Sequence, residues 1–386
     1  MKNSSVSRLT ADSSFMSRII KMHAFPFFVR TLVAGVMTSM SALSFAAPSF
    51  NFSLLHEPGV SSGYAYDIND AGDVAGQWVY ATVWRNGVAQ NIFGTSDGFV
   101  DVFGLNNQGD AVGYSGSGFG VATLWQGQNA VELPTPQGTR SVAVDLNDRG
   151  QIVGRYESIG SSGSPRAVVW QNNVMTELVM PDGAYASFAN AVNNDGWIAG
   201  GSGSSETFSR ATLWRNGVAT VLPTLGGNIS QANGINSLGH IVGASAQGNG
   251  NPYQYATLWE NDIAIDLGTL PSFLGSSANA INDAGWIVGV SSKSLWYEDR
   301  ATVWIEGDVI DLNSFLTDEE VAEGWTLRSA VGINSSGIIV GNAYNEFSGL
   351  SQIYLMTPAV PEPRTWALLL AGFAIMVLAV RLHRRA

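Results

Sequence analysis

The stretch I-N-D-A-G-W-I-V-G, from Ile281 to Gly289, is one copy of a motif that recurs along most of the chain. Each copy reads Asn, two residues, Gly, one residue, two apolar residues and a second Gly. It is followed by a segment such as R-A-T-V-W, Arg300 to Trp304. Seven copies begin at Asn69, Asn106, Asn147, Asn193, Asn236, Asn282 and Asn334. Their spacing of about 45 residues is typical of solenoids, propellers and arrays, so the repeat decides the fold.

Each copy predicts four short strands. The Asn-Asp-Ala-Gly segment is a turn signal, because Asn and Asp tolerate turn geometry and Gly supplies a positive φ. The Ile-Val-Gly segment indicates a strand that ends where another backbone approaches closely. The A-T-V-W segment is apolar on both faces, as in a strand that is covered on both sides. An Asn-Gly pair such as Asn86-Gly87 then reverses the chain into the fourth strand.

The ends of the repeat region predict how it closes. An alternating strand pattern at Ser49–Leu55 precedes the first copy, and the last copy stops after its third strand. Pairing the spare strand with the incomplete copy would close a ring without exposed edges. The sequence therefore predicts an all-β fold: a β-propeller of seven four-stranded blades closed by an N-terminal strand, with a C-terminal hydrophobic sorting helix. An open β-solenoid is the alternative.

Three segments divide the chain. Residues 1–46 have the features of a signal peptide: basic residues precede a charge-free apolar run, Thr31 to Ala46, that ends in small residues. A membrane anchor is the alternative for this run. Residues 47–357 hold the repeats, and residues 358–386 form a separate C-terminal segment. Before the last copy, Thr317 or Asp318 is expected to cap one helical turn through Val321.

Charge and cysteine content exclude several partners. Residues 47–360 carry 10 Lys or Arg and 29 Asp or Glu, a net charge of −19, against −12 for the whole chain. This acidity argues against nucleic acid, because nothing would neutralise the phosphates, and against docking on anionic lipid. The chain has no Cys, which excludes disulfides, thiolate metal sites and Cys nucleophiles.

The C-terminal segment has three parts in order. Pro361, Glu362 and Pro363 come first, an uncharged apolar run covers residues 366–380, and Arg381, Arg384 and Arg385 follow. The run is marginal for a stable span, and the basic end marks a cytoplasmic side. The segment resembles a PEP-CTERM sorting signal. That resemblance implies processing by an exosortase-type protease, transient membrane anchoring through residues 366–380, and release to the cell surface or matrix of a Gram-negative, exopolysaccharide-producing, biofilm-type host.

The repeats resemble the HAF family of extracellular repeats, with the pattern A-x-x-I-N-x-x-G-x-V-V-G followed by A-x-L-W. The similarity covers roughly residues 61–357. Leu105 and Leu146 replace Ile, and the last A-x-L-W is weak at Gln352–Ile353. The family brings no defined activity, so the resemblance implies a module rather than a function. The pattern of the N-terminal segment makes signal peptidase an expected processing partner. Together with this segment, the resemblance implies an exported protein.

Catalytic and metal motifs are weak in this sequence. Residues 47–360 hold two His, His56 and His240, on different repeats, and no H-E-x-x-H or P-loop motif occurs. Asp67 to Asp73 partly resembles a calcium loop, but Ala71 occupies a ligand position and the bidentate Glu is missing. The sequence therefore predicts no catalytic residue, no metal and no cofactor.

Aromatic residues fall into two groups. One Trp per copy occupies a fixed strand position, which predicts packing between blades: Trp84, Trp125, Trp170, Trp214, Trp259 and Trp304. Trp197 and Trp286 instead follow the turn Gly, where other copies are mostly polar, and Tyr114, Tyr156 and Tyr297 lie in or near variable loops. An exposed aromatic ring suits stacking on a sugar. These five are the candidate ligand-binding residues, with edge packing against a neighbouring strand as the alternative.

The sequence thus predicts an exported, non-catalytic surface or matrix protein that binds exopolysaccharide or surface proteins. The alternative is a carbohydrate-active enzyme, a glycoside hydrolase or lyase, on the same propeller. Such an enzyme needs two carboxylates that face each other across a pocket. With 29 acidic residues in the repeat region, the sequence alone does not select a pair.

Overall fold

Seven four-stranded antiparallel sheets, each one blade of a β-propeller, make up the described part of the chain. The computed structural model describes residues 49–55, 62–95, 98–117, 120–159, 163–204, 209–248, 251–293 and 298–359. The predicted all-β propeller with seven blades is confirmed. The predicted signal peptide and the predicted C-terminal sorting helix lie outside these residues. Within the described ranges, no helix is both long enough and apolar enough to cross a membrane.

The first four blades run inside to outside in chain order. Blade 1 consists of β2 (Tyr64–Ile68), β3 (Val74–Gln77), β4 (Ala81–Arg85) and β5 (Val88–Asn91). Blade 2 consists of β6 (Phe99–Leu105), β7 (Asp110–Gly116), β8 (Val121–Gln126) and β9 (Asn129–Glu132). Blade 3 consists of β10 (Thr139–Leu146), β11 (Ile152–Ser158), β12 (Arg166–Gln171) and β13 (Val174–Glu177). Blade 4 consists of β14 (Ala186–Val192), β15 (Ile198–Gly203), β16 (Ser209–Arg215) and β17 (Val218–Val221).

The last three blades include the closure of the ring. Blade 5 consists of β18 (Gly226–Ile235), β19 (Ile241–Gln247), β20 (Gln254–Glu260) and β21 (Ile263–Asp266). Blade 6 consists of β22 (Gly275–Ile281), β23 (Ile287–Ser292), β24 (Asp299–Ile305) and β25 (Asp308–Asp311). Blade 7 consists of β26 (Trp325–Ile333), β27 (Ile339–Asn345), β28 (Leu350–Pro358) and, outermost, β1 (Phe50–Leu54).

A short insertion connects blades 6 and 7. It contains a 3₁₀ turn, Leu312–Phe315, and the helix α1, Asp318–Ala322. The Thr317 hydroxyl accepts from the Glu320 N–H, and the Glu320 carboxylate accepts from the Thr317 N–H, which is a reciprocal capping box. The helical turn expected after Thr317 is therefore confirmed.

The N-terminal strand closes the ring. Strand β1 pairs antiparallel with β28 in a register that runs from Phe50 opposite Pro358 to Leu54 opposite Tyr354. Phe50 is buried, and its ring contacts Phe315 and Trp286 at centroid distances of 5.2 and 6.0 Å. The predicted closure is confirmed. The open solenoid is wrong, because the first strand of the repeat region pairs with the last one. This pairing removes two exposed sheet edges.

The lead Asn of each copy does more than form a turn. In blade 6 the Asn282 Oδ1 atom accepts from the Trp286 N–H at 3.0 Å, while Gly285 adopts a φ of 81°. The Asn282 Nδ2 atom donates to the Asn334 carbonyl of the next blade. The same bond joins all seven blades into a closed ring, with donor–acceptor distances of 2.8–3.5 Å, through Asn69, Asn106, Asn147, Asn193, Asn236, Asn282 and Asn334. We call this side of the propeller the Asn-turn end and the opposite side the loop end.

The six repeated Trp side chains form the core between blades, as predicted. Each is 1–2% exposed. Trp214, for example, packs with Val153 and Ala167 of blade 3 and with Ala189 of its own blade. Four indoles also donate to a carbonyl of the preceding inter-blade connection; the Trp214 Nε1 atom lies 2.7 Å from the Val179 carbonyl oxygen. Burial of a large indole at each interface locks neighbouring blades together.

Candidate active site

A β-bulge in the inner strand of every blade shapes the centre of the propeller. In β2 the register shifts between Ala65 and Asp67, so Tyr66 is the extra residue. The other six inner strands shift at the equivalent place. One bulge residue per blade therefore lines a common space: Tyr66, Phe103, Val144, Asn190, Asn233, Asn279 and Val331. This space, which we call the central cavity, measures about 480 Å³.

Two carboxylates lie in the central cavity, one residue after the bulge in blades 1 and 3. The Asp67 Oδ1 atom accepts from the Ile68 N–H, and Oδ2 accepts from the Leu105 N–H of blade 2, both at 2.8 Å. Asp145 repeats the arrangement, accepting from the Leu146 N–H at 2.7 Å and from the Val192 N–H of blade 4 at 2.8 Å. Both carboxyl groups are thus held at fixed positions in the cavity wall.

The environment raises the pKa of both carboxyls. Burial raises the pKa of Asp67 to about 7, with a further contribution from the charge of Asp145, against the lowering effect of its two N–H donors. Burial raises the pKa of Asp145 to about 6, again against two N–H donors. Because these groups bind protons more tightly in the folded state, their contribution to stability is present below about pH 4 and is lost as the pH rises through 6 and 7.

The fold does not require an acid at this position. The equivalent residues are Gly104, Gly234 and Gly332 in three blades and Ala191 and Ala280 in two others. These blades form the same bulge without a carboxyl group. Two coupled carboxylates whose desolvation costs stability at neutral pH, at positions where Gly or Ala suffices, indicate a chemical role.

The two halves of the cavity wall differ in chemistry. On blades 4 to 6 the amides of Asn190, Asn233 and Asn279 each donate to a carbonyl of the next inner strand at 2.8 Å. On blades 1 and 2, Tyr66 contacts Phe103 edge to face at 5.3 Å. An apolar, aromatic wall opposite a polar one is typical of small-molecule sites.

A second cavity adjoins the first on the loop-end side. This side cavity, of about 260 Å³, is lined by Tyr114, Tyr156, Arg140, Arg155, Glu157 and nearby residues. Arg155 and Val142 line both cavities. The Tyr114 ring lies 6.0 Å from Phe103, so a row of three aromatic rings runs from Tyr66 to the side cavity. Burial and a hydrogen bond to Asp101 raise the pKa of Tyr114 to about 12.

The structure brings together only part of the candidate ligand-binding set. Tyr114 and Tyr156 line one cavity. Trp197 and Trp286 lie beside the turns of the Asn-turn end, at the opposite side of the propeller. The Arg215 guanidinium stacks 4.5 Å from the Trp197 ring, and Trp286 contacts Phe50. Both Trp rings pack against the turn Gly of a following blade, at Gly239 and Gly337. Tyr297 lies outside the described residues.

The stretch that partly resembles a calcium loop is divided between two places. Asp67 lies in the central cavity, whereas Asp73 forms an ion pair with Arg85 at 3.4 Å. Across the described ranges, no three His, Asp or Glu side chains are arranged to hold a metal ion.

The repeat pattern contains one signal for the two carboxylates. Two residues before the lead Asn, five copies carry Gly or Ala and two carry Asp. An acidic residue at a repeat position that otherwise holds Gly or Ala is not needed for the fold and therefore indicates a chemical role. That the two Asp residues face a shared cavity depends on the bulge and on ring closure, which no single copy reveals.

Comparisons with known proteins do not place the chain in a family. No family model matches the chain, and no curated protein matches it. A gluconolactonase from Xanthomonas campestris is similar over 80% of this chain and 90% of its own, at 10% identity and a TM-score of 0.38. A puromycin-hydrolyzing peptidase from Mycobacterium tuberculosis is similar over 81% of this chain, at 10% identity and a TM-score of 0.32. This chain spans 59% of the peptidase's length.

The prediction of a non-catalytic protein without catalytic residues is corrected at the central cavity, where two buried carboxyls with raised pKa values lie in one wall. The error has a physical cause. A carboxylate pair contributed by two different blades leaves no continuous motif in the sequence. A propeller scaffold by itself does not choose between binding and catalysis.

Proposed function

We propose that the protein is a carbohydrate-active enzyme that hydrolyses glycosidic bonds in the central cavity. The observation that carries the proposal is the pair of carboxyls, Asp67 and Asp145, in one cavity with raised and unequal pKa values of about 7 and about 6. Glycoside hydrolysis uses two such groups, one protonated and one ionised.

Each carboxyl has a defined task in this reaction. Asp67, which holds its proton to higher pH, donates that proton to the glycosidic oxygen as the bond to the anomeric carbon breaks. Asp145, ionised at lower pH, stabilises the positive charge that develops on the sugar and either attacks the anomeric carbon or takes a proton from the attacking water. The aromatic wall at Tyr66 and Phe103 provides an apolar surface for a sugar ring.

The proposed setting is extracellular. The signal-peptide pattern of residues 1–46 and the PEP-CTERM resemblance of residues 361–385 support export and sorting by an exosortase-type system. The substrate would then be a polysaccharide of the cell surface or matrix. Loss of residues 361–386 after secretion, measured as the intact mass of the surface-released protein, tests this part independently.

The first test is release of reducing ends from a panel of extracellular polysaccharides by the purified protein. Asp67→Ala and Asp145→Ala place at each site a residue that blades 4 and 6 already carry there. We expect each variant to lose about 10²-fold or more of the rate, since an acid–base group contributes that much. Neither melting temperature should fall at pH 7, because the desolvated charge is removed.

The matched control is Asp195→Ala, which removes an exposed carboxylate paired with Arg149 at the Asn-turn end. Its rate should equal that of the wild type. Equal rates for Asp67→Ala and wild type, or no cleavage of any polymer in the panel, would overturn the proposal.

A further inference from the structure

Three side-chain amides line the central cavity on neighbouring blades. Asn190, Asn233 and Asn279 are the bulge residues of blades 4, 5 and 6. Each Nδ2 atom donates at 2.8 Å to the carbonyl of the residue that precedes the bulge of the following blade. This bond fixes the orientation of each amide, because a flipped amide would set its own carbonyl oxygen against another carbonyl oxygen.

The bond to the next blade uses only the nitrogen of each amide. In the part of the chain that the structure describes, the Oδ1 atoms of Asn190, Asn233 and Asn279 accept no hydrogen bond, and none of the three is buried. One wall of the cavity therefore presents three accessible acceptors. By contrast, Asn342 of blade 7 also bridges two blades, but its Oδ1 atom accepts from the Ala65 N–H at 2.8 Å.

The fold does not require an amide at the bulge. The bulge residues of the other four blades are Tyr66, Phe103, Val144 and Val331, and the inner strands bulge there as well. An aromatic or aliphatic side chain is thus sufficient for the structure. Three amides in a row, each with an acceptor left over, instead match the few placed polar groups that orient a ligand in a small-molecule site.

The rest of the lining favours an uncharged ligand that carries hydroxyl groups. Two carboxyls and three amide oxygens disfavour an anionic group, because like charges and facing acceptors repel each other. Arg155, a cation in the same lining, already has an interaction partner and lies 5.9 Å from the centre of the Phe188 ring. Hydroxyls donate to amide oxygens, and the rings of Tyr66 and Phe103 provide an apolar surface across the cavity.

From this arrangement we infer that the central cavity selects a neutral sugar unit: the Oδ1 atoms of Asn190, Asn233 and Asn279 accept hydrogen bonds from its hydroxyls while its apolar face packs against the aromatic wall. The three amides are then the specificity-determining residues of the site. Cleavage beside this sugar rests on the proposed function, whereas its binding rests on the amides and the aromatic wall. Oxygen atoms also suit a metal ion, but the apolar rings complete a sugar site rather than a metal site.

Calorimetric titration of the full chain with cellopentaose, mannopentaose and xylopentaose tests the inference, in an Asp67→Ala background that prevents cleavage during the measurement. Asn233→Val places at the middle amide the residue that blades 3 and 7 carry there, so this variant should fold. It should weaken binding of the best ligand about three- to tenfold, as expected for the loss of one hydrogen bond. Asn279→Val should do the same. Asn342→Val, which loses a bridge outside the cavity, should bind like its parent.

The charge preference is tested with pentagalacturonate, which carries a carboxylate on each unit and should bind more weakly than the best neutral ligand. Equal or tighter binding of pentagalacturonate would overturn the inference. So would unchanged affinity in both Asn233→Val and Asn279→Val, or no binding of any neutral pentasaccharide to either Asp67→Ala or the wild type. Titration with calcium chloride is the remaining comparison: calcium binding that Asn233→Val abolishes, without sugar binding, would make the amides metal ligands and overturn the inference as well.

Thermal unfolding of each variant separates a folding defect from a lost contact. Because binding is measured without turnover, the two proposals fail separately. Binding that depends on Asn233, with no cleavage by the wild type, rejects only the proposed function. Cleavage by the wild type, with unchanged affinity in both Asn variants, rejects only this inference.

Discussion

The second glycine of each repeat illustrates how single residues set the geometry of the blades. A Cβ atom at Gly200 would lie 1.9 Å from the carbonyl oxygen of Phe188, and at Gly289 it would lie 2.0 Å from that of Ser277. These contacts are with backbone atoms of the bulged inner strand, which a rotamer change does not relieve. The glycine therefore fixes the separation between the first two strands where the bulge forms.

Gly200→Ala should destabilise the protein by about 2 kcal/mol or more, because the methyl group forces two paired strands apart. The neighbouring Gly201→Ala is the control, since its Cβ would lie 3.3 Å from the Ser209 side-chain oxygen, a tight but less severe contact. Equilibrium denaturation of both variants measures the difference. Equal stabilities would contradict the account of the bulge.

At the scale of single elements, the third strand of each blade contributes a buried indole. Trp214 and Trp304 are both 2% exposed. The Trp214 N–H donates to the Val179 carbonyl at 2.7 Å. Within the described ranges, the Trp304 Nε1 atom is buried and has no hydrogen-bond partner. The two indoles are equally buried and differ in one hydrogen bond. Comparing them therefore separates the contribution of the hydrogen bond to stability from the contribution of burial.

Trp214→Phe should therefore cost about 1 kcal/mol more than Trp304→Phe, the typical net value of one hydrogen bond. Both lose similar indole packing, and only the first also leaves a carbonyl without its donor. Chemical denaturation of the two variants gives the comparison directly. A larger loss for Trp304→Phe would show that packing, and not the bond, differs between the two interfaces.

At the scale of the whole molecule, stability depends on closing the ring. Strand β1 completes blade 7, and Phe50 connects it to Phe315 in the insertion and to Trp286 of blade 6. The Asn334 Nδ2 atom donates to the Asn69 carbonyl and joins the last inner strand to the first. Breaking this closure would expose two sheet edges.

Phe50→Ala should lower the free energy of unfolding by roughly 3–5 kcal/mol, as for other buried Phe truncations. Phe99→Ala is the control, because Phe99 is 73% exposed and its truncation should change stability by at most about 0.5 kcal/mol. Thermal unfolding and light scattering of both variants measure stability and edge-to-edge association. A Phe50→Ala protein as stable as Phe99→Ala would contradict closure by β1.

The sequence was informative where chemistry is local and repeated. The turn at Asn282 to Gly285, the buried Trp214 and the strand at Ser49–Leu55 follow from patterns within one copy or from comparing the two ends. The central cavity does not follow in this way. Asp67 and Asp145 are 78 positions apart and line one cavity because seven inner strands converge. Likewise, no local pattern shows that Tyr114 lies at the loop end of the propeller and Trp197 at the Asn-turn end.

The most direct test of the candidate site is an NMR titration of the aspartate carboxyl carbons in the wild type and in Asp145→Ala. Burial of both carboxyls, with the charge of Asp145 as a further contribution at Asp67, predicts that Asp67 titrates near pH 7 and Asp145 near pH 6 in the wild type. Replacing Asp145 should lower the pKa of Asp67, because one neighbouring negative charge is removed. If both groups titrate near their ordinary value of about 4, and Asp67 does not respond to the loss of Asp145, the two do not form an acid–base pair.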